Sequence, residues 1–333
     1  MVSLLKNNIR ILIIRLSSLG DILLTTPLIR SIKKKFPQIT VDFLLKKQYQ
    51  DAIKYNKYIS NFYLFQIGKD EKQKLNTELR FNNYDIVIDL QNNLRSRKIT
   101  RVLKRPIVKF NKHNINKFLL VQFKLNKLKS LPQIPVRYTQ TIPNFSLDDE
   151  GLNLYIPENI KTKLTDDKKY IGFGSGSKHF TKMWPIDYYI QLGEELNNNG
   201  FEIVLFGGKS DKQICKQLKD NLPFAINLCN DNDLLQTAKD MKQCLVLVCN
   251  DSGLMHTACS VGVPVLTFFG STVKEFGFAP YKNKNLILEN NSLTCRPCSH
   301  IGRNKCPKKH FNCMIKLSPE FAFNKLHKLL NDK

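Results

Sequence analysis

The sequence contains no apolar run of the roughly 18–20 residues that a membrane-spanning helix needs. We expect no secretion signal, because Met1–Arg10 carries two positive charges but no apolar stretch closed by small residues. The apolar run Ile11–Leu16 is short and is interrupted by Arg15. From these absences we expect a cytoplasmic protein, with any membrane contact being peripheral and made from the cytoplasmic side.

Acidic residues are scarce relative to basic ones. The chain holds 28 Asp and Glu against 52 Lys and Arg, a formal net charge of +24. Much of the excess lies in the first half, in runs such as Ser31–Lys35 and Lys104–Lys129. A field of this sign favours anionic partners. Three interpretations stay open at this point: a nucleic acid, an anionic membrane or phosphorylated lipid, and a lysine-rich surface that serves only solubility.

Internal repeats and low-complexity tracts are also missing, and the composition is that of a globular protein. A chain of 333 residues, 42% of them hydrophobic, is large enough for two domains. Short apolar runs alternate with amphipathic stretches, a rhythm that predicts doubly wound α/β units with covered parallel sheets. The predicted strands are Ile11–Leu16, Val41–Leu45, Asp85–Leu90, Ile107–Phe110, Tyr170–Phe173, Phe201–Phe206, Leu245–Cys249 and Val265–Phe269.

The middle of the chain breaks this rhythm. Leu131–Tyr170 contains four prolines and few periodic runs, and proline disfavours helix interiors and central strands. We therefore place a linker near Asn153–Lys169, between a first domain of residues 1–160 and a second of residues 161–333. The last helical pattern, Ser318–Leu330, has an apolar side that allows it to pack back on the first domain.

The first candidate for chemistry is Asp21, which follows the first predicted strand and Gly20 at the start of a helix. A helix amino terminus stabilises a carboxylate, and an ionised carboxylate in a cleft can accept a proton from an attacking hydroxyl. The alternative is that Asp21 only caps the helix.

Glycine-rich turns in the second half predict anion binding. Gly172–Lys178 exposes backbone N–H groups after a strand, and Lys182 adds positive charge nearby. An ordinary strand–helix turn is the alternative. Asp211 follows another strand and the pair Gly207–Gly208. Its carboxylate can take a pair of ribose hydroxyls or cap a helix.

Asn250–His256 follows a further strand and opens a helix. Asp251 and Ser252 stand at the tip, and the small residues and exposed amides of a helix start suit a diphosphate. His256 falls about one turn along, where it can hydrogen-bond a phosphate or a sugar, or serve as a structural residue.

In their order and spacing, these segments resemble the ADP-heptose:lipopolysaccharide heptosyltransferases, glycosyltransferase family 9. The resemblance extends from Ile11 to beyond Phe269, most of the chain. The pieces that carry it are Arg15–Asp21 with Thr25–Pro27, Asp89–Gln91 with Arg95 and Ser96, Lys182–Pro185, Gly207–Gly208 with Asp211, and Asp251–Gly253 with His256. One departure is Ser252, where the family commonly has threonine.

The resemblance implies the GT-B fold, in which two Rossmann-like domains flank a cleft, the first binding the acceptor and the second the nucleotide sugar. It implies an inverting transfer that needs no metal, with Asp21 as the general base. The implied donor-binding residues are Ser177, Lys182, Asp211, Asp251, Ser252, Gly253 and His256. The implied acceptor side holds Gln91, Arg95 and Arg137.

The implied partners are an ADP-heptose donor and an acidic, phosphorylated, lipid-linked glycan acceptor. A basic first domain suits such an acceptor. Nucleic acid is not expected, because the basic runs lack the regularly interleaved aromatic residues of single-strand binders and contain no double-strand reading motif. Two rival interpretations are a GT-B transferase that uses another activated sugar and a scaffold without catalytic activity.

The nine cysteines form two groups. Five lie in apolar or helical patterns and are interpreted as reduced core residues. Cys295, Cys298, Cys306 and Cys313 cluster near the end and look like a feature of the heptosyltransferase II branch. They are a candidate structural zinc site, although the second pair is Cys-x6-Cys. His300 and His310 are competing ligands, and free thiols in a basic loop are the alternative.

Overall fold

The computed structural model describes residues 9–331, except for the side chain of Lys69. Within that range the chain alternates strands and helices as an α/β protein does. The strands are β1 (Arg10–Ile14), β2 (Thr40–Lys46), β3 (Asn61–Phe65), β4 (Ile86–Asp89), β5 (Ile107–Lys109), β6 (Tyr170–Gly174), β7 (Glu202–Leu205), β8 (Ile226–Asn227), β9 (Cys244–Asn250), β10 (Val265–Phe269) and β11 (Asn285–Glu289).

The helices follow the strands in the order of a doubly wound fold. They are α1 (Leu19–Leu23), α2 (Thr26–Lys35), α3 (Lys69–Phe81), α4 (Leu94–Leu103), α5 (Asn114–Phe123), α6 (Ile134–Tyr138), α7 (Ile186–Asn198), α8 (Lys212–Asn221), α9 (Leu234–Met241), α10 (Gly253–Ser260), α11 (Asn312–Ile315) and α12 (Pro319–Asn331). None of the helices within residues 9–331 is both long enough and apolar enough to cross a bilayer.

The chain divides into two compact units. The first contains the residues up to His113 together with Pro132–Tyr155, and the second contains Asn114–Leu131 and the chain from Ile156 onward. The segment with α5 thus groups with the second unit, and the residue pattern contains no signal for this. In the second unit α12 packs against α7 and β11.

The first unit holds a parallel sheet in the order β3-β2-β1-β4-β5. Its central strand β1 is buried from Ile11 to Ile14, as expected for a strand covered on both faces. Asp42 on β2 is one of the polar residues buried in this unit. Asp42 is fully buried and accepts hydrogen bonds from Arg10 Nε at 2.9 Å and from the Tyr84 hydroxyl at 3.0 Å, so its desolvation is compensated.

The second unit holds a parallel sheet in the order β11-β10-β9-β6-β7-β8. Its core includes Trp184, whose ring stacks on Phe268 with centroids 4.2 Å apart. The Trp184 indole N–H donates to the Leu317 carbonyl at 2.8 Å. Trp184, the only tryptophan in the sequence, therefore anchors the chain just after Lys182 in this core.

Because all strand pairs in each sheet are parallel, the carboxyl ends of the strands meet at one edge of that sheet. In the first unit Asp21 follows β1 and Gln91 follows β4. In the second unit Ser177 follows β6, and Asp211 and Asp251 follow β7 and β9. The sheet topology thus gathers the predicted residues of each unit at one edge.

Candidate active site

Asp21 lies in the first turn of α1, just beyond β1. Its Oδ2 accepts hydrogen bonds from the Ser18 backbone N–H at 3.0 Å and from the Ser18 hydroxyl at 2.8 Å. Asp21 therefore does cap the helix start. The side chain nevertheless remains 16% exposed, so capping and a chemical role are compatible.

A buried arginine holds the other carboxylate oxygen. Arg15 Nη2 forms an ion pair with Asp21 Oδ1, and Arg15 Nη1 donates to the Leu90 carbonyl at 2.6 Å. Burial lowers the pKa of the Arg15 guanidinium, but the Asp21 carboxylate acts against it and the net shift is upward. The guanidinium is thus a fixed positive charge that orients the carboxylate.

Two residues far along the chain belong to the same surroundings. Burial lowers the pKa of Lys112, and Arg15 lowers it further, while Asp21 and Asp89 act in the opposite direction. Burial raises the pKa of Tyr138, whose hydroxyl interacts with both Arg15 and Asp21. The Tyr138 hydroxyl is buried without a hydrogen-bond partner among the described residues. Lys112 and Tyr138 were not predicted from the sequence, because their positions along the chain do not indicate that they lie near Asp21.

The acceptor-side candidates occupy different surroundings. Gln91 is buried, and its Oε1 accepts a hydrogen bond from the Ser17 backbone N–H at 3.1 Å, which ties it to the turn before Asp21. Arg95 is exposed in the first turn of α4. Arg137 is buried, and its Nε donates to the Pro132 carbonyl at 2.5 Å. Burial lowers the pKa of the Arg137 guanidinium.

In the second unit, a lysine and an aspartate from different segments form an ion pair. Lys182 Nζ lies 2.7 Å from Asp251 Oδ2, and the side chains are only 15% and 9% exposed. The Thr272 hydroxyl donates to the same oxygen at 2.7 Å. Thr272, which follows β10, was not anticipated from the sequence. The pair places one fixed positive charge beside the start of α10.

The start of α10 has the features of an anion site. Ser252 is the N-cap residue, yet its hydroxyl makes no capping hydrogen bond and has no partner among residues 9–331. Gly253 begins the helix, and His256 is buried one turn along. The Ser175 hydroxyl, after β6, is also buried and unpartnered within the described chain. Buried hydroxyls beside free helix N–H groups are costly unless a ligand completes their hydrogen bonds.

Asn250 connects the segments that carry these residues. Its Nδ2 donates to the Ser175 carbonyl at 2.7 Å, and its Oδ1 accepts from the Trp184 backbone N–H at 2.9 Å. The ends of β6 and β9 and the Lys182–Trp184 segment are therefore held together by one buried amide. Sequence reasoning included Asn250 in the motif but gave it no role.

Asp211 lies beside the turn that carries Ser177. Its Oδ2 accepts a hydrogen bond from the Gly208 backbone N–H at 2.9 Å, so it does close its own turn. A Cβ on Gly176 would lie 2.3 Å from Asp211 Oδ1. A side chain at position 176 would therefore require this carboxylate to move. The structure brings Asp211 and Ser177 into one neighbourhood at the ends of β6 and β7.

Taken by themselves, the two units offer complementary chemistry. The first presents an oriented, partly exposed carboxylate, and the second presents a lysine, unpartnered hydroxyls and a helix start. The sequence model of the family described as glycosyltransferase family 9 (heptosyltransferase) matches residues 72–309 of this chain. The chain belongs to glycosyltransferase family 9.

Individual relatives agree with this assignment. Lipooligosaccharide heptosyltransferase 2 of Haemophilus influenzae is 27% identical over an alignment of 354 positions, gaps included, that covers 96% of this chain and 99% of the relative. The glycosyl transferase family 9 structure from Veillonella parvula superposes with a TM-score of 0.80 at 21% identity, covering 98% of both chains. Escherichia coli ADP-heptose LPS heptosyltransferase II gives a TM-score of 0.74 at 21% identity, covering 97% of this chain and 98% of that one. The predicted GT-B fold, the family and the resemblance to the heptosyltransferase II branch are confirmed.

All nine cysteines of the family 9 enzyme lie within the described residues, and all are free thiols. Cys295 Sγ lies 3.9 Å from His310 Nε2, and Cys313 is buried. Burial raises the pKa of Cys298, and Cys306 and Cys295 also contribute to the shift. The four thiols are therefore neighbours, but no three Cys, His, Asp or Glu side chains among residues 9–331 are arranged to hold a metal ion.

Proposed function

We propose that this glycosyltransferase transfers heptose from ADP-heptose to the inner core of lipopolysaccharide with inversion at the anomeric carbon. The observation that carries the proposal is the Lys182–Asp251 pair beside an N-cap serine that does not cap, at the start of α10. This arrangement suits a diphosphate. The names of the relatives supply the sugar and the acceptor class, since they are heptosyltransferases of lipooligosaccharide and lipopolysaccharide.

The second unit would bind the nucleotide sugar. The backbone N–H of Gly253 and the hydroxyl of Ser252 would donate to the diphosphate, with Lys182 neutralising part of its charge. Ser177 and His256 would contact the diphosphate or the sugar from either side. Asp211, at the end of β7, would accept hydrogen bonds from the ribose hydroxyls.

The first unit would bind the acceptor and start the reaction. Asp21 would accept the proton of an acceptor hydroxyl as that oxygen attacks the anomeric carbon of heptose. The bond from this carbon to the diphosphate breaks in the same step, and its electron pair leaves with ADP. The donor-site cation and N–H groups stabilise the departing charge. No metal or cofactor takes part in this scheme.

Gln91, Arg95 and Arg137 would serve the acceptor. Gln91 is tied to the turn that holds Asp21, so its role is closest to the reacting hydroxyl. The exposed Arg95 guanidinium suits the carboxylates and phosphates of an inner-core glycan. Because this glycan is lipid-linked, we propose that the enzyme works as a peripheral protein at the cytoplasmic face of the membrane.

Nucleotide selectivity tests the donor assignment. In calorimetric titrations with ADP, UDP and GDP, we expect ADP to bind at least about tenfold more tightly than the other two, a difference of about 1.4 kcal/mol. A preference for UDP or GDP would retain the fold but replace the donor. Absence of binding by all three would contradict a nucleotide-sugar transferase.

Zinc at the cysteine cluster stays a prediction from the sequence. Cys295 and Cys298 have the spacing of a zinc-binding pair, but the thiols are not arranged as a site in the described residues. Metal analysis of the purified protein tests it. About one zinc per chain, lost in Cys298→Ser but retained in Cys244→Ser, would support a structural metal. A metal-free, fully folded and active protein would exclude it.

A further inference from the structure

The short helix α5 exposes several large apolar side chains. The exposed fractions are 76% for Ile115, 57% for Phe118, 62% for Phe123 and 53% for Leu125. The rings of Phe118 and Phe123 lie edge to face with centroids 6.0 Å apart, so these two side chains are adjacent. Ile115 precedes Phe118 by about one helical turn, and Leu125 closely follows Phe123 along the chain. Contiguous exposed apolar surface of this kind marks an interaction site.

The opposite side of the same segment is anchored in the second unit. Leu120 and Leu128 are buried and pack with Phe276. The chain therefore buries some apolar residues of this segment and leaves others in water. The exposure of Phe118 and Phe123 is consequently a property of the folded unit.

The sequence on either side of these exposed residues is basic and contains no acidic residue. Lys127 and Lys129 are exposed just beyond Leu125. The whole stretch between Asp89 and Asp148 contains no acidic residue. The exposed apolar side chains are thus flanked only by cationic and neutral groups of their own segment.

A second acid-free segment contacts the first. Lys124 Nζ donates to the Pro297 carbonyl at 2.8 Å and to the Cys295 carbonyl at 3.3 Å. Burial lowers the pKa of His300, and Lys117 of α5 lowers it further. No acidic residue occurs between Glu289 and Glu320.

The second segment adds the same two kinds of side chain. Ile301 is 56% exposed, and Arg303, Lys305, Lys308 and Lys309 follow it as exposed cations. We call the combination of exposed apolar and basic residues of 114–129 and 300–309 the α5 surface.

We propose that the α5 surface docks on an anionic phospholipid bilayer. Phe118, Phe123 and Ile115 would insert at the level of the lipid headgroups, and the surrounding lysines would approach the lipid phosphates. A surface helix with exposed apolar residues and a lysine border has the chemistry of an interfacial membrane anchor. The proposal locates the peripheral contact suggested above, but it does not depend on which sugar is transferred.

The composition of the α5 surface favours lipid over other occupants. Ile115, Leu125 and Ile301 are aliphatic, and aliphatic chains insert into hydrocarbon but offer no platform for stacked bases. A second copy of this chain would bring lysines of the same sign together, which opposes self-association. In an anionic bilayer the apolar residues can insert among the lipids, and the basic residues can approach the lipid phosphates.

Sedimentation with vesicles tests the proposal. Wild-type protein is expected to bind vesicles of phosphatidylcholine with phosphatidylglycerol, and to bind pure phosphatidylcholine vesicles weakly. Replacing Phe118 and Phe123 together by serine should abolish binding to the anionic vesicles. Lys127→Gln and Lys129→Gln should each weaken it roughly fivefold at low salt.

Matched controls lie on α3 of the first unit. Phe81 is 88% exposed and Lys74 is exposed, so Phe81→Ser and Lys74→Gln make the same chemical changes elsewhere and should leave binding unchanged. ADP affinity and thermal unfolding show whether each variant is folded, and Asp21→Asn should bind vesicles like the wild type. This last comparison separates docking from transfer.

Four outcomes would overturn the proposal. They are absence of binding to any vesicle, equal binding by the wild type and the double serine variant, a dimer that becomes monomeric in that variant, and loss of single-stranded RNA binding without any lipid effect. Loss of anionic-vesicle binding in the double serine variant alone, with ADP affinity retained, supports it.

Discussion

Replacement of Asp21 by asparagine is expected to lower kcat by about 10²–10⁴-fold and to leave the affinity for ADP nearly unchanged. Asparagine retains the size of the side chain and can still accept hydrogen bonds from Ser18, but it cannot take the proton of an acceptor hydroxyl. The proposed ADP contacts belong to the second unit, so nucleotide binding should persist. Turnover with ADP-heptose and calorimetric titration with ADP measure the two quantities separately.

The controls for this prediction address folding and capping. Asp21→Asn also removes the anionic partner of the buried Arg15, so unfolding of the variant must be measured. Ser18→Ala removes the hydroxyl that bonds to Asp21. We expect it to cost about 1 kcal/mol of stability while retaining most of the turnover. Asp70→Asn changes the same charge on the exposed start of α3 and should affect neither quantity.

Two results would refute the assigned role. Wild-type turnover in Asp21→Asn would remove Asp21 as the general base. An equal loss in Asp21→Asn and Ser18→Ala would assign Asp21 to helix capping alone.

Replacement of Lys182 by alanine is expected to weaken ADP binding about 10- to 100-fold, because the proposed charge-assisted hydrogen bond to the diphosphate would be lost. The lysine is only 15% exposed, so solvent cannot easily substitute for its charge. Lys216, exposed on α8 of the same unit, provides the matched Lys→Ala control. Calorimetric titration of both variants with ADP measures the difference.

A double variant separates a direct contact from an indirect one. Lys182→Ala leaves the Asp251 carboxylate without its cation, and that negative charge would itself repel a diphosphate. If repulsion were the whole cause, adding Asp251→Asn to Lys182→Ala would restore ADP affinity. We expect the double variant to stay about as weak as Lys182→Ala. Restored affinity would contradict a direct role for the lysine.

The central strands could be predicted because buried parallel strands are apolar on both faces. Val265–Phe269 is found with the predicted bounds, and the strand predicted at Tyr170–Phe173 ends one residue later. The strands that were missed, Asn61–Phe65, Ile226–Asn227 and Asn285–Glu289, lie at sheet edges. An edge strand has one neighbour and keeps polar or exposed residues, so pairing and not residue pattern determines it.

The candidate site was predictable where its residues follow strands along the chain. Asp21, Asp211 and Asp251 each come directly after a strand or a glycine turn. Thr272 comes near Asp251, and Tyr138 comes near Asp21, only through the tertiary fold. These residues are too far apart in the sequence for the pattern to show that they are close. The Lys182–Asp251 ion pair was likewise hidden, although both residues were predicted to bind the donor.

The transfer reaction itself tests the proposed activity. Purified protein is incubated with ADP-heptose and a lipooligosaccharide whose inner core lacks heptose, or carries a single heptose, and the glycolipid products are analysed by mass spectrometry. We expect a gain of one heptosyl residue by one of these acceptors, with release of ADP, and the absence of that product with Asp21→Asn. Transfer from a UDP- or GDP-sugar only, or no product from a folded enzyme that binds ADP, would contradict it.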